Sequence, residues 1–151
     1  MNEEIIKFQK IGTVYSPHKD TGDMPRQPRF AKGIQAKVVI EPQFVEGLRD
    51  LDGFSHIYLI CYLHQVKGYK LTAHPPLDNK SHGVFASRSP HRPNPIGLSV
   101  VKLISIEENV LTIEDVDLLD GTPVLDIKPY SPTFDEDEEI RTGWIESAES
   151  P

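Results

Sequence analysis

A single cysteine, Cys61, in 151 residues excludes an intramolecular disulfide and any zinc site built on cysteine, which fits a reducing compartment. Long apolar runs are missing as well: the longest, Ile57–Leu63, falls far short of the roughly 20 residues that a membrane span requires. The start, Met1-Asn2-Glu3-Glu4, lacks the basic-then-apolar order of a signal peptide, so a cytoplasmic location without membrane partners is expected. His64, His74, His82 and His91 have no ligand spacing typical of zinc, and no metal is expected. Internal repeats and low-complexity tracts are absent too. What remains is an ordinary composition, 38% hydrophobic and 26% charged, enough for one domain with a real core.

Excess positive charge is also lacking. The formal charge of -7 argues at first against a nucleic-acid partner, because phosphate binding is driven by Lys and Arg displacing counterions. The distribution changes that reading. Residues 1–130 carry 15 Lys and Arg against 16 Asp and Glu, whereas residues 131–151 carry 1 against 7. Within His64–Lys102 there are six basic residues and one acid, Asp78, which would suit a local basic patch on a nearly neutral body; a solvated loop would look the same.

Ile5–Tyr15, Ile34–Ile40, His56–Leu63, Gly83–Ala86, Leu98–Ile106, Val110–Val116, Val124–Ile127 and Ile140–Ile145 are short and rich in Val, Ile and aromatic residues, and they read as strands. The clearest hairpin turns through Glu107-Glu108-Asn109, with Asn109 suited to a left-handed backbone. One short helix is credible, after Glu41, where Pro42 fits the first helical position and Phe44, Val45, Leu48 and Leu51 recur at helical spacing. One helix cannot supply parallel crossovers. The expected fold is therefore all-β, a small antiparallel barrel with one short helix and long functional loops. The loops Ser16–Gly33 and Gln65–His82 are long enough to suggest function. Asp135–Glu139 is a run of five acids, and Ser147–Pro151 is expected to fray.

Three stiff segments carry the polar groups. In Gly83–Ser99, GVFASRSPHRPNPIGLS, Pro90, Pro93 and Pro95 hold a loop from which Arg88 and Arg92 could clamp a carboxylate or phosphate; a rigid connection with salt-bridged arginines would look the same. In Asp117–Tyr130, DLLDGTPVLDIKPY, Asp120-Gly121 signals a turn, and Asp126 and Lys128 share one face of an extended strand. Those carboxylates could bind ribose hydroxyls or take a proton; alternatively Asp120 caps the turn and Asp126 pairs with Lys128. Met24–Phe30, MPRQPRF, sets Arg26 and Gln27 between prolines. His64-Gln65 ends the most apolar strand, and Cys61 within it reads as a small buried hydrophobe.

These three segments, with GFSHIYLICYLHQ at Gly53–Gln65, closely resemble the TsaA-like family, also called TrmO, over about Ile11 to Tyr130. The resemblance implies a β-barrel methyltransferase that uses S-adenosyl-L-methionine to methylate N6 of threonylcarbamoyl-adenosine beside the tRNA anticodon, with the cofactor near a homodimer interface. Carried over by motif, Pro25, Arg26, Gln27, His64, Gln65, Arg88, Leu98, Asp117, Leu118, Leu119, Asp120, Gly121 and Thr122 take cofactor-binding positions. Arg92, Asn94, Lys128 and Tyr130 are the candidates for substrate contacts, and Asp126, Asp120 or His91 for the general base. Residues 1–135 would form the methyltransferase domain and residues 136–151 an acidic strand and tail, without the C-terminal domain of longer members. Two other readings fit the residues: a non-catalytic RNA-binding barrel that stacks bases on Tyr62 and Tyr69, and a methyltransferase of a small metabolite.

Overall fold

The structure, a computed structural model, describes residues 3–20, 32–132 and 140–149. The chain divides into two compact units, Met1–His64 with Ile96–Tyr130, and Gln65–Pro95 with Ser131–Pro151. The first unit holds six strands: β1 Gly12–Tyr15, β2 Gln35–Ile40, β3 His56–Tyr62, β6 Ile96–Glu107, β7 Val110–Glu114 and β8 Pro123–Pro129. They pair in the order β1-β2-β7-β6-β3-β8 and close into a barrel, every pairing antiparallel. The all-β barrel expectation is borne out.

Alternation in the sequence becomes the inside and outside of this barrel. Val14, Val38, Ile40, Ile57, Leu59, Cys61, Val101, Leu111, Ile113 and Val124 point inward and are buried. Each full burial of such a side chain contributes about 1.5–3 kcal/mol. Gly12 lies where β1 crosses β2 closely: a Cβ there would stand 2.8 Å from the Val39 carbonyl oxygen. Closure needs two irregularities, one at Ile60/Cys61 against β8 and one between Leu103 and Ser105 against β7, the local bends that let a small sheet curl.

Several sequence expectations change. Only Gly12–Tyr15 of the Ile5–Tyr15 stretch is a strand, and Ile5, Ile6 and Phe8 are exposed, because pairing with β2 and β8 begins at Gly12. The segment after Glu41 is a 3₁₀ helix, Pro42–Leu48, followed by a second at Leu51–Gly53; it has no side-chain cap, and Asp50 in a left-handed conformation ends it. In the β6–β7 hairpin the left-handed residue is Glu108, while Asn109 donates its side-chain amide to the Ile40 carbonyl.

The second unit contains a two-stranded sheet, β4 Thr72–Ala73 with β5 His82–Gly83, a 3₁₀ turn Val84–Ala86, and the helix α1, Trp144–Glu149. The strand expected at Ile140–Ile145 is therefore not formed; Trp144 begins a helix. The expected Gly83–Ala86 strand is largely this 3₁₀ turn. Among the described residues no helix is long and apolar enough to cross a membrane.

Candidate functional site

In the first unit the polar groups gather at one mouth of the barrel, where β1 and β3 end and β6 and β8 begin. The organising element is the connection from β7 to β8. Its Val116 and Leu118 side chains enter the core, which turns the intervening carboxylates outward. Asp115, itself left-handed at φ 68°, accepts the Gly33 N–H at 2.7 Å. Asp120 accepts the Ser16 N–H on Oδ1 at 3.0 Å and meets Lys19 Nζ through Oδ2 at 3.0 Å. Ser16 Oγ donates to the Leu118 carbonyl, and His18 Nε2 donates to that of Val116, both from buried side chains. One connection thus ties down both ends of the Ser16–Gly33 loop. Pro25, Arg26 and Gln27 within that loop lie outside the described residues.

Lys19 beside Asp120 holds its carboxyl below the usual carboxylate range; partial burial opposes this, and the Ser16 N–H reinforces it. A carboxylate so engaged is a clamp more than a base. Gly121, at φ 82°, makes the turn that the Asp120-Gly121 pair signalled. Its open side faces His64: a Cβ built there would stand 3.9 Å from Nε2. His64 Nδ1 is buried and, among the described residues, has no hydrogen-bond partner. Asp117 accepts the Ser99 hydroxyl at 3.0 Å. Burial, and then the charge of Asp117, raise the thiol of Cys61 to about 12, so it stays a neutral part of the core. The structure therefore brings together His64, Asp117, Leu118, Leu119, Asp120, Gly121 and Thr122 in this unit; Leu98 stands half-exposed on β6.

Asp126 is not among them. It faces outward on β8, 3.6 Å from Lys128 Nζ, and so takes the pairing that the sequence allowed as its structural alternative. It lines a different space, an apolar cavity of about 540 Å³ at the other mouth, bounded by Ile11, Ile40, Phe44, Leu48 and Leu51. Tyr130 packs edge-on against Tyr58, with ring centroids 5.4 Å apart.

The second unit carries Gln65, Arg88, His91, Arg92 and Asn94. Arg92 Nη1 donates to the carbonyls of Ser87 and Ser89 and staples the proline-bounded loop. Arg88 is exposed, and among the described residues it has no ion-pair or hydrogen-bond partner. The His91 main chain accepts from Lys70 N, while its ring makes no hydrogen bond among the described residues. Sequence reasoning missed a further cluster here: His82 Nε2 meets Asp78 Oδ2 at 2.8 Å, and the Trp144 ring stacks on His82 with centroids 4.3 Å apart. It also missed Ser16, His18 and Asp115. The only signal available was their polarity beside strand ends. No group of three or more His, Cys, Asp or Glu among the described residues is placed to hold a metal ion.

Fold and mouth together define a closed antiparallel barrel whose polar site is built from the connections between strands. The model of the tRNA-methyltransferase O N-terminal domain family matches residues 13–136, and the chain belongs to that family. A probable S-adenosyl-L-methionine-binding protein of Pyrococcus abyssi is 50% identical over 142 residues, which cover 94% of this chain and 77% of that one. The tRNA (adenine(37)-N6)-methyltransferase of Escherichia coli K12 is 36% identical over 153 residues, covering 95% of this chain and 65% of the enzyme. The crystal structure of TrmO from Pseudomonas aeruginosa superposes with a TM-score of 0.77 at 38% identity, over 93% of this chain and 63% of that one. The chain thus spans less than two thirds of the length of the last two. The family named from the sequence motifs is the family found.

Proposed function

We propose that this chain is an S-adenosylmethionine-dependent tRNA methyltransferase that acts on N6 of an adenosine next to the anticodon, with threonylcarbamoyl-adenosine as the preferred base. The observation that carries the reading is the family match across every motif-bearing segment. The names of the Pyrococcus and Escherichia relatives supply the cofactor and the tRNA adenosine.

The first unit's mouth suits such a cofactor. The buried, unpartnered His64 Nδ1 needs a polar atom, and a ribose hydroxyl or an adenine edge would provide one. Asp117 and the main chain of Leu118–Thr122 are the further groups assigned to hold it, with Gly121 leaving room for close approach. Arg88, unpaired among the described residues, is the cation assigned to a carboxylate, that of the cofactor or of the threonyl group. Pairing with the threonyl carboxylate would be the simplest way to reject unmodified adenosine.

When bound, the cofactor supplies a methyl group already activated by a sulfonium. The chain's task is then alignment, which can provide up to roughly 7–11 kcal/mol of a barrier. The urea-like N6 must also lose its proton. Asp120 is committed to Lys19 and Ser16, and Asp126 to Lys128, so of the three candidates that the motifs supply we assign the base to His91, whose ring makes no hydrogen bond among the described residues. The outward-facing Tyr62, Ile96, Leu98 and Val100 of β3 and β6 form an apolar patch through which we assign a homodimer.

Calorimetry with S-adenosylmethionine, followed by mass spectrometry of tRNA nucleosides, tests the reading. Arg88→Ala should abolish cofactor binding while circular dichroism stays unchanged; normal affinity removes Arg88. His91→Gln should bind cofactor yet transfer slowly in a single turnover, and Asp126→Asn should transfer at the normal rate. The reverse pattern returns the base to Asp126. A non-catalytic RNA barrel would show no thermal stabilisation by the cofactor.

A further inference from the structure

The turn Lys67-Gly68-Tyr69-Lys70 in the second unit has no part in the cofactor and base assignments above. Gly68 bends the backbone at φ 70°, and the Gly-Tyr pair has a lysine on either side. Lys67 and Lys70 are exposed, and among the described residues neither has an acidic partner. The one acid of residues 65–95, Asp78, is held by His82 Nε2 at 2.8 Å.

Two backbone hydrogen bonds fix what surrounds this turn. The Lys70 N–H donates to the His91 carbonyl at 3.3 Å, and the Val84 N–H donates to the Leu71 carbonyl at 2.9 Å, which continues the pairing of β4 with β5. Residues 69–71 thus run between His91 and the Val84–Ala86 turn. Val84 is buried, whereas the next residue, Phe85, is 78% exposed, and Tyr69 and Leu71 are 60% and 64% exposed. Large apolar side chains left in the open around one junction mark a contact surface. The unpaired lysines among them favour a polyanion over an apolar protein face. Exposed rings interleaved with cations suit unpaired nucleotides, whose bases stack on the rings while their phosphates pair with the lysines.

We propose that Lys67, Tyr69, Lys70 and Phe85 form a platform for unpaired RNA beside His91, on which the nucleotides flanking the target adenosine are stacked and held open. The proposal rests on the tRNA reading above and adds a selection to it. Duplex bases are already stacked on one another and offer the rings no free face, so the platform takes loop nucleotides and passes over helical stems.

Fluorescence anisotropy with three labelled RNAs tests this: a stem-loop carrying an anticodon loop, the single strand of that loop, and a duplex of the same length as the stem-loop. Wild type should bind the first two more tightly than the duplex. Tyr69→Ala and Phe85→Ala should each weaken stem-loop binding at least about fivefold and leave the duplex unaffected. Lys70→Gln should lower the slope of log affinity against log salt on the single strand by about 0.7, the loss of one phosphate contact. Circular dichroism checks folding, and S-adenosylmethionine should bind all three variants normally in calorimetry. Stem-loop binding by wild type with equal affinity in both alanine variants overturns the platform alone, as does equal affinity for the duplex. Loss of S-adenosylmethionine binding in folded Tyr69→Ala or Phe85→Ala would make the ring a cofactor contact and overturn it too. A wild type that binds no stem-loop overturns the tRNA reading, and the platform with it.

Discussion

Asp120 offers the sharpest separation between a group that holds the site and one that performs chemistry. Its Oδ2 pairs with Lys19, 66% exposed, and its Oδ1 accepts the N–H of the buried Ser16. Asp120→Asn keeps an acceptor for Ser16 and loses only the ion pair, which at this exposure is about 0.2–1 kcal/mol. Asp120→Ala also strands the Ser16 N–H, and the cost rises to about 1–3 kcal/mol. For a chain of this size each kcal/mol lowers the unfolding temperature by roughly 2–4 °C. The pH dependence has a definite sign. Because folding lowers the Asp120 pKa from 3.8, its stabilisation is full above that value and disappears as pH falls through the lower folded value. Thermal unfolding of wild type and Asp120→Asn should therefore differ at pH 7 and converge below roughly pH 4. In calorimetry the cofactor should bind more weakly to Asp120→Ala than to Asp120→Asn, because the alanine also frees one end of the Ser16–Gly33 loop. An alanine variant as stable as wild type, or a gap that persists at low pH, refutes the clamp.

Two further expectations concern the barrel beneath the mouth. A Cβ at Gly12 would stand 2.8 Å from the Val39 carbonyl oxygen, a backbone atom held in the sheet, so Gly12→Ala should cost about 1–3 kcal/mol in chemical denaturation; an unaltered midpoint ends that account. Cys61, buried and raised to about 12, should resist alkylation at pH 8 until the chain unfolds, and its contribution to stability, full below pH 9.0, should fade as the pH climbs toward 12; rapid labelling of the native chain counts against it.

Much of the fold was legible because alternation is local. His56–Tyr62 and Val110–Glu114 show their inward and outward faces within a few residues, and scarcity of helical periodicity excluded a parallel sheet. The same rule misled at Ile5–Tyr15 and Ile140–Ile145, where apolar residues look strand-like but only Gly12–Tyr15 of the first forms a strand and Trp144 starts a helix. The motif segments of the site could be read in the same local way, since proline and glycine declare stiffness and turns by themselves.

The sequence by itself determined the class of fold, the family, and which short segments carry polar groups on a stiff backbone. Tertiary structure decided what those groups do. Asp120 meets Ser16 across 104 residues and Trp144 meets Ala86 across 58, separations over which no periodic pattern extends. Asp115, Asp120 and Asp126 are chemically alike, and only barrel closure separates two carboxylates that anchor a loop from a third that pairs with lysine at the opposite mouth. A residue's chemistry is written locally, but its partner is set by the long-range pairing of strands.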